Sequence, residues 1–123
     1  MSKRRIYISG PMTGIEPREY RRRFREAEAI LRRHGYGCIN PCRVWPCRFP
    51  WLYRLMNALL GRRLTYAVIL AYDLILLMTR ADGIAMLPGW EQSRGARIEN
   101  YVAFHFPMMG ISRQAAEEIE RIK

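Results

Sequence analysis

The 123-residue chain has no apolar run long enough to cross a bilayer. Its most apolar stretch, LTYAVILAYDLILLMT at 64–79, is 16 residues long and is interrupted by Asp73. A bilayer core asks for roughly 20. The opening MSKRRIYISG is basic but holds no apolar segment of the length a secretion signal needs. A soluble, cytoplasmic protein without membrane association is expected. Cysteine is scarce: Cys38, Cys42 and Cys47, an odd count with no C-x2-C pair. That argues against a disulfide framework. Together with His34 they make H-x3-C-x3-C-x4-C, which matches no common zinc module, so buried thiols and no metal are expected. Repeats and low-complexity tracts are missing too.

Acidic residues are few and unevenly placed. The chain carries 11 against 21 Lys and Arg. Residues 1–63 hold 15 of the basic groups and four glutamates, whereas 64–123 are close to neutral. A basic half points either to an anionic partner or to an arginine-rich solvated helix face. No helix-turn-helix or single-strand-binding pattern accompanies the charge, so nucleic acid is the least favoured partner. Half of the residues are hydrophobic and 11% aromatic, enough to build a core and to exclude disorder. The length suits one domain, 1–123.

The present residues set an order of elements. RRIYISG reads as a strand closed by the turn GPMTG. Over 17–34 the apolar Tyr20, Phe24, Ala27 and Leu31 recur at four, three and four, the period of an amphipathic helix. Pro17 suits its first turn and Gly35 its end. YGCIN is a second strand stopped by Asn40-Pro41. An irregular or helical insertion at about 42–65 follows, rich in proline and aromatics, with a short helix to about residue 60. A separate helix is expected over 66–79, then a strand GIAMLPG. Ser93 or Gly95 opens a helix to about His105, and Ser112 caps a last one. Alternating units of this kind build a parallel sheet with helices on both faces, an α/β fold of the doubly wound, flavodoxin or Rossmann-like type. Ligands of such sheets bind at the carboxyl ends of the strands, where SGPMTG, NPCRVWP and LPGWEQSRG lie.

LPGWEQSRGARIEN carries the chemistry. With Ser93 as cap, Gly95 and Glu99 are four apart and share a helix face. Glycine leaves room above the carboxylate. Amides at the helix start, Ser93, Arg94 and Arg97 would favour an anion. A carboxylate nucleophile beside a phosphate clamp fits this pattern, and so does a plain surface glutamate. Asp73 is less ordinary: a carboxylate within an apolar helix is costly unless it is paired or used. Asp82, at a helix-to-strand turn, is where aspartate is commonly found.

These residues form a pattern. Tyr-Ile-Ser-Gly-Pro-Met-Thr-Gly at 7–14, Asp73-Leu74 followed by Ala81-Asp82, and L-P-G-W-x-x-S-x-G-A-x-x-E at 87–99 occur in order. The chain thereby resembles the nucleoside 2-deoxyribosyltransferase-like proteins, which include 5-phosphate-dependent deoxyribonucleoside N-hydrolases, and within them a branch common in phages and bacteria. The resemblance covers roughly 5–40 and 70–105 and leaves out 42–65. It implies a glutamate that attacks the anomeric carbon of a nucleoside or nucleotide, expels the base and forms a glycosyl-enzyme that water or a second base resolves. By motif position Glu99 is the nucleophile. Asp73 would contact sugar hydroxyls or protonate the leaving base. Ser93 and Gly95 would hold the 5-phosphate or 5-hydroxyl, and Tyr7, Gly10 and Met12 would line sugar and base. The resemblance also implies a homo-oligomer, a dimer or larger, and no cofactor. One departure stands out. The N-hydrolases use a first-loop arginine for phosphate, and Thr13 occupies that place, leaving Arg94, Arg18 or arginines of 42–63 as substitutes. Trp45, Phe49 and Trp51 would form a base-stacking lid, a partner surface or simple packing. A nucleotide sensor without catalysis is the second functional class.

Overall fold

Strand β1 (Arg5–Ser9) lies at the centre of a three-stranded parallel sheet, between β2 (Gly37–Ile39) and β3 (Gly83–Met86). The computed structural model describes residues 4–12, 14–43, 49–106 and 108–123. Thr13, Trp45 and Cys47, singled out above, fall outside them. Tyr7 pairs with Ile39 on one side and Ile84 on the other, and Ser9 with Met86. A central parallel strand is covered on both faces. Accordingly Ile6 to Ser9 are all buried, and even-numbered and odd-numbered residues feed two different cores.

Ile6 and Ile8 pack with Ala85 and Leu87 against α1 (Pro17–Arg33) and α4 (Arg113–Glu120). The 4-3-4 spacing delivers Phe24, Ala27 and Leu31 into this core, with Tyr20 partly buried at its rim. Tyr7 and Ile39 face the other way, onto Leu76 and Leu77 of α2 (Pro50–Arg80) and Ala103 of α3 (Arg94–Phe104). Helices thus cover both faces of a small open sheet in a single α/β unit. Both serine caps form: Ser93 accepts from Ala96 N and Ser112 from Ala115 N. No helix among the described residues is long and apolar enough to cross a membrane.

The expected short helix to about residue 60 and the separate helix after it are both present, with the second starting earlier than expected. After a 3-10 turn at Pro41–Arg43, the chain from Pro50 runs as α2 to Arg80, broken only at Gly61 (φ 82°, ψ 161°). The separate helix expected from residue 66 in fact resumes at once after Gly61. RRLT at 62–65 contains no breaker, and glycine reaches a positive φ without steric cost, so one residue suffices for the break.

Much of the basic charge on α1 is structural. Arg22 bridges Glu19 and Glu26, Arg33 meets Glu118, and Arg32 and Arg43 both approach the buried Glu28. Cys38 is half-buried, and burial pushes its thiol up to about 11, so it stays protonated at neutral pH. Among the described residues no group of three or more His, Cys, Asp or Glu is placed to hold a metal ion.

Close backbone approach pins the edge of β3. A Cβ on Gly83 would meet the Met109 carbonyl oxygen at 2.3 Å, where Met109 N donates to Asp82 O at 2.8 Å. Gly83→Ala is therefore expected to push the 108–110 segment off the sheet. The loss should be about 2–3 kcal/mol, a fall in Tm of roughly 10 °C, read by thermal circular dichroism. An unchanged Tm would mean that this contact yields freely.

Candidate active site

The carboxylate of Glu99 is the organising group. Alternation along β1 places Tyr7 and Ser9 on one face, turned to α3. The Tyr7 hydroxyl donates to Glu99 Oε2, and Ser9 Oγ donates to Oε1 at 2.8 Å. Glu99 is 7% exposed and has no cationic partner among the described residues. Glu28, the other buried glutamate, has two arginines. Burial raises the Glu99 pKa, while the two hydroxyls pull it back down. A hydrogen-bonded carboxylate without a counter-ion is oriented and still electron-rich.

Asp73 sits beside it on the second half of α2. Desolvation, then the nearby charge of Glu99, pushes its carboxyl up to about 8. No described residue donates a hydrogen bond to it. Of the two acids, Glu99 has the donors that favour ionisation, so Asp73 keeps the proton at neutral pH. Two carboxyl groups with separated protonation states are the arrangement that acid and nucleophile roles require.

Both line a cavity of about 690 Å³. Of the residues singled out in the sequence, Tyr7, Gly10, Met12, Asp73, Ser93, Gly95 and Glu99 all reach it. Arg94 does not; it lines an adjoining cleft of about 610 Å³ with Arg23, Gly89 and Gln92. The structure also revises the roles of the two glycines. A Cβ on Gly10 would strike Leu87 Cβ and Cδ1 at 2.7 Å, so this glycine lets the loops after β1 and β3 pack together. The space above Gly95 is met by the Tyr66 hydroxyl, 3.1 Å from where a Cβ would stand. Ser93 is committed as a helix cap, its hydroxyl accepting from Ala96 N at 3.4 Å.

Ser9, a hydrogen-bond partner of Glu99 rather than a lining residue, was not anticipated, although the i, i+2 relation to Tyr7 in a strand already signals it. Several lining residues were missed as well: Pro50, Tyr53 and Asn57 from the first half of α2, with Tyr66, Ile69 and Leu70 from the second; Arg54, one of the arginines of 42–63 named above, lines the cavity beside them. Each set is spaced i, i+3, i+4, so each half turns one helical face to the cavity. Tyr20 and Arg21 complete the wall from α1.

A family model described as "Domain of unknown function (DUF4406)" matches residues 4–111. No curated protein and no solved structure is similar enough to match. The matched segment runs from β1 through α3 and contains Tyr7, Ser9, Asp73 and Glu99; the chain belongs to the DUF4406 family.

Proposed function

We propose that the protein cleaves or transfers the N-glycosidic bond of a nucleoside or nucleoside 5-monophosphate through a covalent glycosyl-Glu99 intermediate. The observation that carries this reading is the unpaired, buried Glu99 carboxylate aimed by Tyr7 and Ser9 in a cavity shared with a protonated Asp73. A Glu99 oxygen attacks the anomeric carbon as its bond to the base nitrogen breaks. The bond's electron pair leaves with the base, and Asp73 supplies the proton. Asp73, now a carboxylate, then takes a proton from water or from a second base. That acceptor opens the glycosyl ester and frees Glu99, the double displacement of retaining glycoside chemistry. The motifs at 7–14 and 87–99 support the same assignment, and no metal or organic cofactor enters it.

The fold reading that goes with it is a small doubly wound sheet of the flavodoxin or Rossmann-like type. Helices on both faces of three parallel strands support it, as does a cavity at the carboxyl end of β1, where Gly10 and Met12 follow the strand. The test is release of free base. The purified protein is incubated with ribo- and deoxyribonucleosides and their 5-monophosphates, with and without a second base, and products are separated by chromatography. A released or exchanged base names the substrate. A folded protein that binds nucleotide and releases nothing would instead be a sensor.

The assembly is proposed to be a homo-oligomer. Leu59 is 74% and Phe104 85% exposed, and Trp51, Leu55, Leu60, Leu64, Ile75, Met78 and Tyr101 stand out of α2 and α3 with them. Large exposed apolar side chains on two packed helices are what an interface between copies would cover. Phe104→Asp with Leu59→Asp is expected to lower the mass measured by light scattering to that of one chain. A wild-type mass equal to one chain would remove the proposal.

A further inference from the structure

The exposed apolar surface of α2 and α3 falls into two patches of different charge. Ile75, Met78, Tyr101 and Phe104 stand on the near-neutral half of the chain. Trp51, Leu55 and Leu59 stand on the first run of α2, before the break at Gly61, and are 64%, 46% and 74% exposed. They are four apart, so they form one stripe along the helix. Of residues 50–60, Met56 alone is buried, and neither core cluster includes a residue of this run. The run therefore adds little to the core and turns its apolar stripe to water.

The charge around this stripe has one sign. Between Glu28 and Asp73 the chain holds seven arginines and no Asp or Glu. Arg54 borders the stripe, three residues from Trp51, and Arg62 and Arg63 follow it just past Gly61. All three are exposed, and none forms an ion pair among the described residues. A two-fold contact between copies sets a surface against itself. Through this stripe it would put arginine against arginine, with no carboxylate of 29–72 to receive them. The patch around Phe104 carries no such run of one sign and can hold copies together by itself. Single-stranded nucleic acid would suit the arginines, but it stacks on aromatic rings, and two of the three stripe residues are leucines. A surface that accepts tryptophan and leucine together with arginine is that of an anionic bilayer.

We infer that the first run of α2 lies on an anionic membrane surface, with Trp51, Leu55 and Leu59 at the boundary of headgroups and acyl chains and Arg54, Arg62 and Arg63 on lipid phosphates. No described helix is long and apolar enough to cross a membrane; lying on one asks only for an apolar stripe flanked by cations. The other side of the same run carries Tyr53 and Asn57 to the cavity. One helix thus faces lipid on one side and the candidate active site on the other. The inference does not depend on the chemistry of that site.

The test is cosedimentation of the full chain with vesicles of phosphatidylcholine alone and of phosphatidylcholine with about one-third phosphatidylglycerol. Wild type is expected to bind the anionic vesicles about tenfold or more tightly than the neutral ones, and to lose most of that binding as salt rises to about 0.5 M. Leu59→Asp should weaken binding by about tenfold or more. Arg62→Gln with Arg63→Gln should weaken it by about 10- to 30-fold, roughly fivefold for each charge. Phe104→Asp, on the other patch, should keep it. Circular dichroism checks that each variant is folded. Absence of wild-type binding to anionic vesicles overturns the inference. So does binding that Leu59→Asp leaves intact, since charge alone would then account for it. An equal loss in Phe104→Asp and Leu59→Asp also overturns it, because disassembly would then be the cause. Two results name another occupant. If wild type ignores vesicles and Leu59→Asp alone brings the mass down to one chain, the stripe belongs to a second copy. If wild type is held by a single-stranded oligonucleotide and not by vesicles, it belongs to nucleic acid.

Discussion

Glu99→Gln is expected to lower base release by roughly 10⁴-fold or more, the scale set by removal of a catalytic nucleophile, while the protein stays folded. The carboxamide keeps the shape of the side chain but cannot form the glycosyl ester. Its oxygen can still accept from one of the two hydroxyls that now hold the carboxylate. The other hydroxyl then faces an NH₂ group, a local loss of about 1 kcal/mol. Removing a carboxylate whose pKa burial has raised works in the opposite direction. Stability should therefore change little, and circular dichroism with thermal unfolding checks this beside the chromatographic assay. Tyr7→Phe removes an orienting donor and leaves the nucleophile, so its loss should be smaller, about 10- to 100-fold. Base release by the glutamine variant within tenfold of wild type would end the nucleophile assignment. Equal losses in the two variants would place Tyr7 in the chemistry itself.

The parts of the site that were legible before the structure share a local cause. Ser93 as cap follows from a hydroxyl before a helical period, and α1 follows from Tyr20, Phe24, Ala27 and Leu31. Asp73 drew notice because a charge within an apolar run needs a reason. What could not be read was where distant segments meet. Glu99 and Ser9 are 90 residues apart, and nothing in either neighbourhood states the contact. The i, i+2 relation of Tyr7 and Ser9 was a usable signal once β1 was recognised. The division near residue 60 was legible too, because glycine punctuates helical periods and Gly61 is where the two helical runs of α2 separate. How the two runs are set relative to each other across Gly61 was not legible, so the faces holding Arg54, Asn57 and Tyr66 could not be aligned on one cavity. The cleft that Arg94 lines was illegible for a related reason: its spacing from Glu99 fixes a position on the helix, but the packing of α3 against α2 decides which cleft that position faces.

Asp73 gives the second large effect, and it separates activity from stability. Its carboxyl titrates near 8 in the folded chain against 3.8 unperturbed. As the acid that protonates the departing base, it must be neutral when substrate binds. Base release should therefore hold at neutral pH and fall about tenfold per pH unit above 8. Asp73→Asn should reduce turnover by about 10²- to 10⁴-fold and abolish that alkaline limb. The stability effect has the opposite sign. A raised folded pKa means that the native chain binds the Asp73 proton more tightly than the unfolded one. Its contribution is fully present below pH 3.8 and is lost progressively as pH rises to about 8. Asparagine removes the titration, so the variant should gain most relative to wild type at pH 8 and above. About 2 kcal/mol is expected there, roughly 5–10 °C in Tm for a domain of this size, shrinking toward pH 4. A group retained at a cost in stability and lost at a cost in turnover is one kept for chemistry. If Asp73→Asn instead destabilises at every pH and leaves the alkaline limb in place, Asp73 is a packing residue and the proton must come from another group.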